Sequence, residues 1–270
     1  MDTQRAVVIG SGIAGLLTAR VLADRFVEVV VVERDPEGVM AGPRQGAAQG
    51  WHLHGLLASG LQAMGRLFPN FEADLAAADA RMGADAGIGV KLFYDGRWAP
   101  AVTAGFNGVA VTRPTLECCL RKRVAALPNV RFVYQTVASD LLFAERRVTG
   151  VRMRRIAEDD REEDLSADLV VDASGRAAQG AAMVKAQGFP TPEEEVIGLD
   201  FGYACALYDI PEGFEADWSA LMVAAAPPAS QGAILMPVEG NRWMLGVGGR
   251  GAERPPGDEA ALLEHLKRLP

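Results

Sequence analysis

The hydrophobic positions of the N-terminal region come in unbroken runs rather than in alternation. Ala6 to Ile9 is a short apolar run, and Val27 to Val32 is a second, valine-rich run that ends at Glu33. Runs of this kind fit strands of a parallel sheet covered on both faces. Between them, Leu16, Leu17, Ala19, Val21, Leu22 and Ala23 predict a helix packed closely on those strands. The three elements make a β-loop-α-β unit, for which a right-handed crossover is expected.

From Asp35 to Gly50, prolines and glycines break regular structure. Leu53, Leu56, Leu57, Leu61, Met64 and Leu67 recur at helical spacing and predict a helix stopped by Pro69. The stretch 81–111 is glycine-rich, with short strand pieces such as Val90 to Tyr94. Thr112 is a candidate N-cap for a helix running to about Leu127. Val130 to Tyr134, Val137 to Phe143 and Val148 to Ile156 read as strands; the last alternates apolar and basic residues, so one of its faces is exposed. Asp159 to Asp164 reads as an acidic hairpin tip, and Ala167 to Val171 as a buried strand ending at Asp172. Beyond Ile197 the pattern turns β-rich, through Phe201 to Tyr208, Ala233 to Met236 and Trp243 to Val247, before a helix over Glu259 to Leu266. The fold class expected is α/β. A Rossmann-like dinucleotide-binding domain covers 1–188, with a β-rich excursion near 81–111, and a β-rich substrate-binding region covers 189–270.

Composition narrows the function classes. Hydrophobic residues make up 49% and charged residues 23% of the 270 positions, as in ordinary globular proteins. The net charge of -8 and a pI near 5.0 supply no basic face for nucleic acid. The one basic run, Arg121, Lys122 and Arg123, reads as a solvated helix face. Cys118, Cys119 and Cys205 are odd in number and partly adjacent, so no disulfide framework is implied. No Cys/His cluster has metal-ligand spacing, and no metal is expected. No apolar run approaches the roughly 18 residues that would cross a bilayer, and the N-terminus does not read as a secretory leader. A cytoplasmic location is expected, and nothing sets an oligomeric state.

The candidate chemistry sits in the first turn. Gly10, Ser11, Gly12, Ile13, Ala14 and Gly15 form G-x-G-x-x-G directly after a buried strand and before an apolar helix. Gly10 permits the tight turn, Gly12 lets a pyrophosphate approach the backbone, and Gly15 lets the helix pack closely. The helix N-terminus offers amide donors and partial positive charge to phosphate oxygens. Glu33 follows the second strand, 18 residues after Gly15, near the spacing of about 20 expected for an acid that accepts from ribose hydroxyls. The fingerprint admits NAD and FAD equally, since both carry ADP.

Three further segments separate the two. RQGAAQGWHLHGLL (Arg44 to Leu57), TRPTLE (Thr112 to Glu117) and DLVVDASGR (Asp168 to Arg176) resemble, in order and spacing, segments of the class A FAD-dependent monooxygenase superfamily, and ILMPVEGNRWMLGVGGR (Ile234 to Arg250) also resembles its substrate-domain strands. The likeness covers nearly all of the chain and extends to aromatic hydroxylases and polyether-type epoxidases. It implies FAD as cofactor, NAD(P)H as transient reductant and a small hydrophobic substrate. It further implies that Glu33 holds the adenosine ribose and that Arg34 lies along the adenine edge. Arg44 would reach the flavin side or the pyrophosphate, and Arg113 the pyrophosphate or ribityl chain. Val137 would meet adenine through its backbone, and Asp172 would close the back of the dinucleotide site. A surface salt bridge is the competing role for each arginine.

Departures from the family pattern are Ala47 and Ala48 in place of Val-Pro, Trp51 in place of arginine, and Ala178 where serine often stands. His52 and His54 match it, with a backbone-bonded histidine as the plainer reading. A second, Gly-Asp-containing flavin motif before a C-terminal helix is not found before Pro270, so the β-rich region is expected to be incomplete. The function expected is an FAD-dependent oxidoreductase that hydroxylates or epoxidises a lipophilic molecule. Its catalytic residues are unassigned, since the flavin carries such chemistry. Phe201, Tyr203, Leu235, Met236, Pro237, Trp243 and Met244 are candidate pocket residues. The alternatives are a flavin-dependent reductase of the geranylgeranyl-reductase type and a truncated, non-catalytic nucleotide-binding remnant.

Overall fold

The computed structural model describes residues 4–38, 42, 44, 46–156, 161–177 and 179–269. Ala178 and the start of the acidic turn at Asp159 lie outside them. In chain order the elements up to residue 125 are β1 (Arg5–Ile9), α1 (Ile13–Ala23), β2 (Glu28–Val32), β3 (Gly55–Leu56), α2 (Ala58–Leu67), α3 (Phe71–Ala77), β4 (Arg81–Asp85), α4 (Ala86–Gly89), β5 (Val90–Tyr94), β6 (Arg97–Trp98), β7 (Asn107–Ala110) and α5 (Arg113–Ala125). They continue with β8 (Val130–Val133), β9 (Thr136–Ala144), β10 (Arg147–Arg155), β11 (Glu162–Ser166), β12 (Leu169–Asp172), α6 (Gly180–Ala186), β13 (Phe201–Asp209), β14 (Ala220–Val223), β15 (Gly232–Val238), β16 (Arg242–Arg250) and α7 (Glu259–Leu266).

Contacts divide the chain into two compact units, Met1–Ala47 with Glu117–Glu195, and Ala48–Leu116 with Val196–Pro270. The division does not fall at 188/189. The excursion near 81–111, expected inside the first domain, packs with the C-terminal strands. The reason is strand pairing: β5 pairs in parallel with β14, Ala220 opposite Val90 and Val223 opposite Phe93.

The first unit is built on a parallel sheet of order β12-β1-β2-β8. Its valines alternate between two covered faces. Val7, Val30 and Val32 pack with Val133, Leu141, Val151, Met153 and Leu165 under the antiparallel sheet β11-β10-β9. The helix α1 packs on β1 and β2 and buries Leu16 and Ala19. With both faces covered, the run Val29 to Val32 carries no polar residue. Glu162, Glu163 and Asp164, expected in a turn, instead pair with Arg154, Met153 and Arg152 as part of β11.

The second unit holds a six-stranded sheet of order β13-β16-β15-β14-β5-β6 and a small antiparallel sheet, β3-β7-β4. One face of the large sheet packs Leu245, Val247, Ala204, Ala206 and Leu235 against Leu262 and Leu266 of α7. The opposite face carries Met236, Met244 and Ile234, with Leu53 against them. The helix expected from Leu53 starts only at Ala58. Leu53 donates its N–H to Cys205 Sγ at 3.2 Å, and Gly55 and Leu56 pair with Ala110 and Val109. Tertiary pairing overrides the helical spacing of these leucines.

Candidate nucleotide-binding site

The chain passes from β1 into α1 through Gly10, Ser11 and Gly12. Gly10 has φ +92°, a region that glycine enters without steric cost. A Cβ there would lie 2.8 Å from the Ala173 carbonyl oxygen. A Cβ on Gly15 would lie 1.9 Å from the Gly10 carbonyl oxygen, so packing of α1 on its own loop excludes any side chain. Gly12 is different. Its φ of -69° suits any residue, and the nearest group to a Cβ would be Arg44 Nη2 at 3.8 Å. Space, not strain, is what Gly12 supplies.

Gly12 is also the N-cap of α1, without a side-chain cap and without an acid in the first turn. The amides of Ile13 and Ala14 therefore stand at a helix end where no preceding carbonyl serves them. An open glycine beside an uncapped helix N-terminus fits an anionic group such as a pyrophosphate.

Glu33 follows β2 and is 4% exposed. One carboxylate oxygen accepts from the Ser11 N–H at 2.9 Å, from the Ser11 hydroxyl, and from Arg44 Nη1 at 3.1 Å. The other accepts from the Asp35 N–H at 2.9 Å. Burial pushes the Glu33 carboxyl up, but the Asp35 amide, the Ser11 hydroxyl and the Arg44 charge outweigh it and hold the group below its ordinary value. Arg44 bridges Glu33 and Asp35, each at 3.1 Å, and Glu117 at 2.9 Å. Burial alone would lower its guanidinium, yet the charges of Glu117, Glu33 and Asp35 raise it.

The other expected residues, Arg34, Asp172, Val137 and Arg113, fall in four separate places. Arg34 is half-exposed, with its Nε 3.8 Å from Asp35 and its guanidinium beside Gly46. Asp172 ends β12 opposite Ile9. Its carboxylate accepts from Ser174 N–H at 3.0 Å, Ser174 hydroxyl at 2.5 Å and Gly180 N–H at 2.9 Å, which ties the turn behind Gly10 to the start of α6. Val137 lies in β9 opposite Arg154. Arg113 is the first residue of α5 and belongs to the second unit.

Three site residues were missed in the sequence. Arg121 is no solvated residue: it is 6% exposed, donating to the Ser11 hydroxyl at 2.5 Å and to the Ser11 carbonyl at 3.0 Å. Glu117, one turn earlier on α5, is 5% exposed and holds Arg44. The i, i+4 spacing of Glu117 and Arg121 within a predicted helix was the available signal. Glu239, in the second unit, accepts from the Thr112 N–H at 3.1 Å, the Thr112 hydroxyl and the Thr115 hydroxyl at 2.6 Å. The start of α5 is thus served by a distant carboxylate rather than by Thr112 alone, and no local pattern signals that.

The expected pocket residues of the second unit split between two faces. Strand register puts Phe201, Tyr203, Met236 and Met244 on the face opposite α7, and Leu235, Pro237 and Trp243 on the α7 face. Phe201 and Tyr203 stay about half-exposed, at 52% and 50%. The His52 ring meets Tyr203 edge-on at 4.4 Å between centroids. Burial, then the charge of His54, keeps His52 below its ordinary pKa. His54 Nδ1 lies 2.9 Å from the His52 carbonyl oxygen, so this histidine is backbone-bonded.

The fold, a parallel sheet with this glycine loop and a second, sheet-containing unit, is shared with solved structures of an FAD-dependent monooxygenase and FAD-dependent halogenases. Residues 5–204 match the model of the FAD binding domain family, and the chain belongs to that family. Protein Rv3254 of Mycobacterium tuberculosis is 33% identical over 258 residues, which is 93% of this chain and 54% of that protein. The chain therefore spans about half the length of this relative. Among solved structures, PqsL of Pseudomonas aeruginosa in complex with 2-aminobenzoylacetate shares the fold with a TM-score of 0.68 and 16% identity, over 92% of this chain and 61% of that one. The myxobacterial chondrochloren halogenase CndH gives 0.64 and 20%, over 99% and 58%. A 2-methyl-3-hydroxypyridine-5-carboxylic acid oxygenase mutant gives 0.64 and 20%, over 98% and 65%.

Proposed function

We propose that this chain is the FAD-holding and substrate-contacting part of an NAD(P)H-using monooxygenase acting on a small hydrophobic molecule. The observation that carries the reading is the pairing of an open Gly12 at an uncapped helix end with Glu33 at the end of the next strand. When bound, FAD supplies the redox chemistry, accepting reducing equivalents from NAD(P)H and delivering one atom of dioxygen to the substrate. The chain's own residues bind and orient. Gly12, Ile13 and Ala14 receive the pyrophosphate through backbone amides, and Glu33 accepts from ribose hydroxyls. Arg44 adds positive charge beside Gly12. Arg34 lies along adenine, Val137 meets adenine through its backbone, and Asp172 fixes the turn behind Gly10. Arg113 is assigned to the pyrophosphate or ribityl chain on the family resemblance alone.

The half-exposed Phe201 and Tyr203 supply an aromatic surface that excludes water from a lipophilic substrate. Purified protein titrated with FAD tests the first half of the reading, through a bound-flavin visible spectrum. NADPH oxidation that depends on an added lipophilic phenol or alkene, with oxygen incorporated into product, tests the second. A protein that stays colourless in excess FAD would overturn the reading.

A further inference from the structure

We propose that Arg121 and Glu117 are the positioning residues of the nucleotide site: Arg121 clamps the glycine loop at Ser11, and Glu117 tethers Arg44 beside Gly12. The inference rests on the nucleotide-binding reading above and adds two residues of α5 to it.

Arg121 spends two nitrogens on one residue. Nη1 reaches the Ser11 hydroxyl at 2.5 Å and Nη2 the Ser11 carbonyl at 3.0 Å. The Ser11 N–H is meanwhile taken by Glu33 at 2.9 Å. The peptide groups on both sides of Ser11 are therefore held, one by a cation and one by an anion. The Ser11 hydroxyl links the two, accepting from Arg121 and donating to Glu33. Gly12 follows directly, so the direction of its amide and of the first helical amides is set before any ligand arrives. A loop ordered in advance loses less entropy on binding.

Burying a guanidinium is costly unless it is bonded and neutralised. Arg121 sits 6% exposed, 5.8 Å from the centroid of the Phe132 ring. A lysine could supply the charge but not the fork that reaches carbonyl and hydroxyl together. One turn away, Glu117 takes Arg44 Nη2 at 2.9 Å and Nε at 3.2 Å. That contact aims the guanidinium at the open side of Gly12, where Nη2 is the nearest group. All of these residues lie in the first unit.

The test measures FAD and ADP dissociation constants by fluorescence quenching and by calorimetry on the full chain. The variants are Arg121→Met, Arg121→Lys, Ser11→Ala, the double variant Ser11→Ala/Arg121→Met, and Glu117→Gln. Arg121→Met is expected to weaken both ligands at least tenfold, with Arg121→Lys intermediate. Because Arg121 acts through Ser11, the double variant should bind nearly as well as Arg121→Met alone. Glu117→Gln should weaken FAD and ADP at least threefold. Affinities within twofold of the parent, or losses for Ser11 and Arg121 that simply multiply, would overturn the proposal. Should Arg121→Met fail to fold, Arg121→Lys paired with Ser11→Ala is judged by the same limits. A parent protein that binds neither ligand overturns the nucleotide-site reading and this inference with it; a parent that binds while every variant matches it overturns this inference alone.

Discussion

Ser11 and Glu33 are joined twice across 22 residues, the Ser11 amide and hydroxyl both donating to one oxygen of a carboxylate that is 4% exposed. The turn after β1 and the end of β2 are thereby locked to each other by hydrogen bonds to a charged acceptor. Their strength should depend on the charge of Glu33.

That dependence has a sign. The folded-state carboxyl of Glu33 sits below its ordinary value, which in unfolded chains is about 4.3. Glu33 therefore contributes stability at pH values above the unfolded value, and the contribution is lost as pH falls through the folded value. Urea unfolding at pH 7 and at several more acidic points should give a steeper loss of stability for the parent than for Glu33→Gln. At pH 7 the substitution should cost about 2 kcal/mol, because a neutral amide meets donors arranged for a charge. Parallel pH profiles would refute the assignment.

The glycines of the loop should separate folding from binding. Gly12→Val meets nothing closer than 3.8 Å at its Cβ, so its unfolding midpoint should stay close to that of the parent while FAD affinity falls by an order of magnitude or more. Gly15→Val drives a side chain to 1.9 Å from the Gly10 carbonyl oxygen and should cost upwards of about 3 kcal/mol. Circular dichroism melts and flavin titrations of the two variants read this contrast directly.

Much of this was legible in the sequence, and the parts that were not share a cause. The valine runs of β1 and β2 and the glycine loop are local patterns whose meaning is set by neighbours in the chain. Arg121 was misjudged because Arg121, Lys122 and Arg123 together look like a solvated face, although only Lys122 is exposed. Its partner Ser11 is 110 residues away. The same distance problem hid Glu239, which lies 127 residues from Thr112. The leucines from Leu53 to Leu57 kept helical spacing, but Gly55 and Leu56 found strand partners in Ala110 and Val109. Long-range polar pairing leaves no periodic trace.

Glu239 offers a check on the second unit. Glu239→Ala removes the acceptor for the Thr112 amide and for two hydroxyls at the start of α5. The loss should be about 1–3 kcal/mol, since the Thr112 amide is left without an acceptor in a buried place. Thr115→Val should cost less, because the Thr112 contacts survive. Hydrogen exchange of the Thr112 amide should rise in the Glu239 variant and stay low in the Thr115 variant.

On the face of the large sheet opposite α7, Tyr203→Ala should raise KM for a lipophilic substrate several-fold and leave the FAD dissociation constant unchanged. Trp243→Ala, on the α7 face, should instead lower thermal stability. Steady-state kinetics with parallel flavin titration separates the two.

The chain passes between its two compact units at 47/48, 116/117 and 195/196. Anyone trimming the protein for expression inherits that weave. A fragment ending near residue 188 would retain β5 but discard β14, stranding a row of unmatched amides and carbonyls along Val90–Tyr94. Such a piece should clump rather than dissolve, and a usable excision of the nucleotide half would have to splice 47 to 117 by a designed linker.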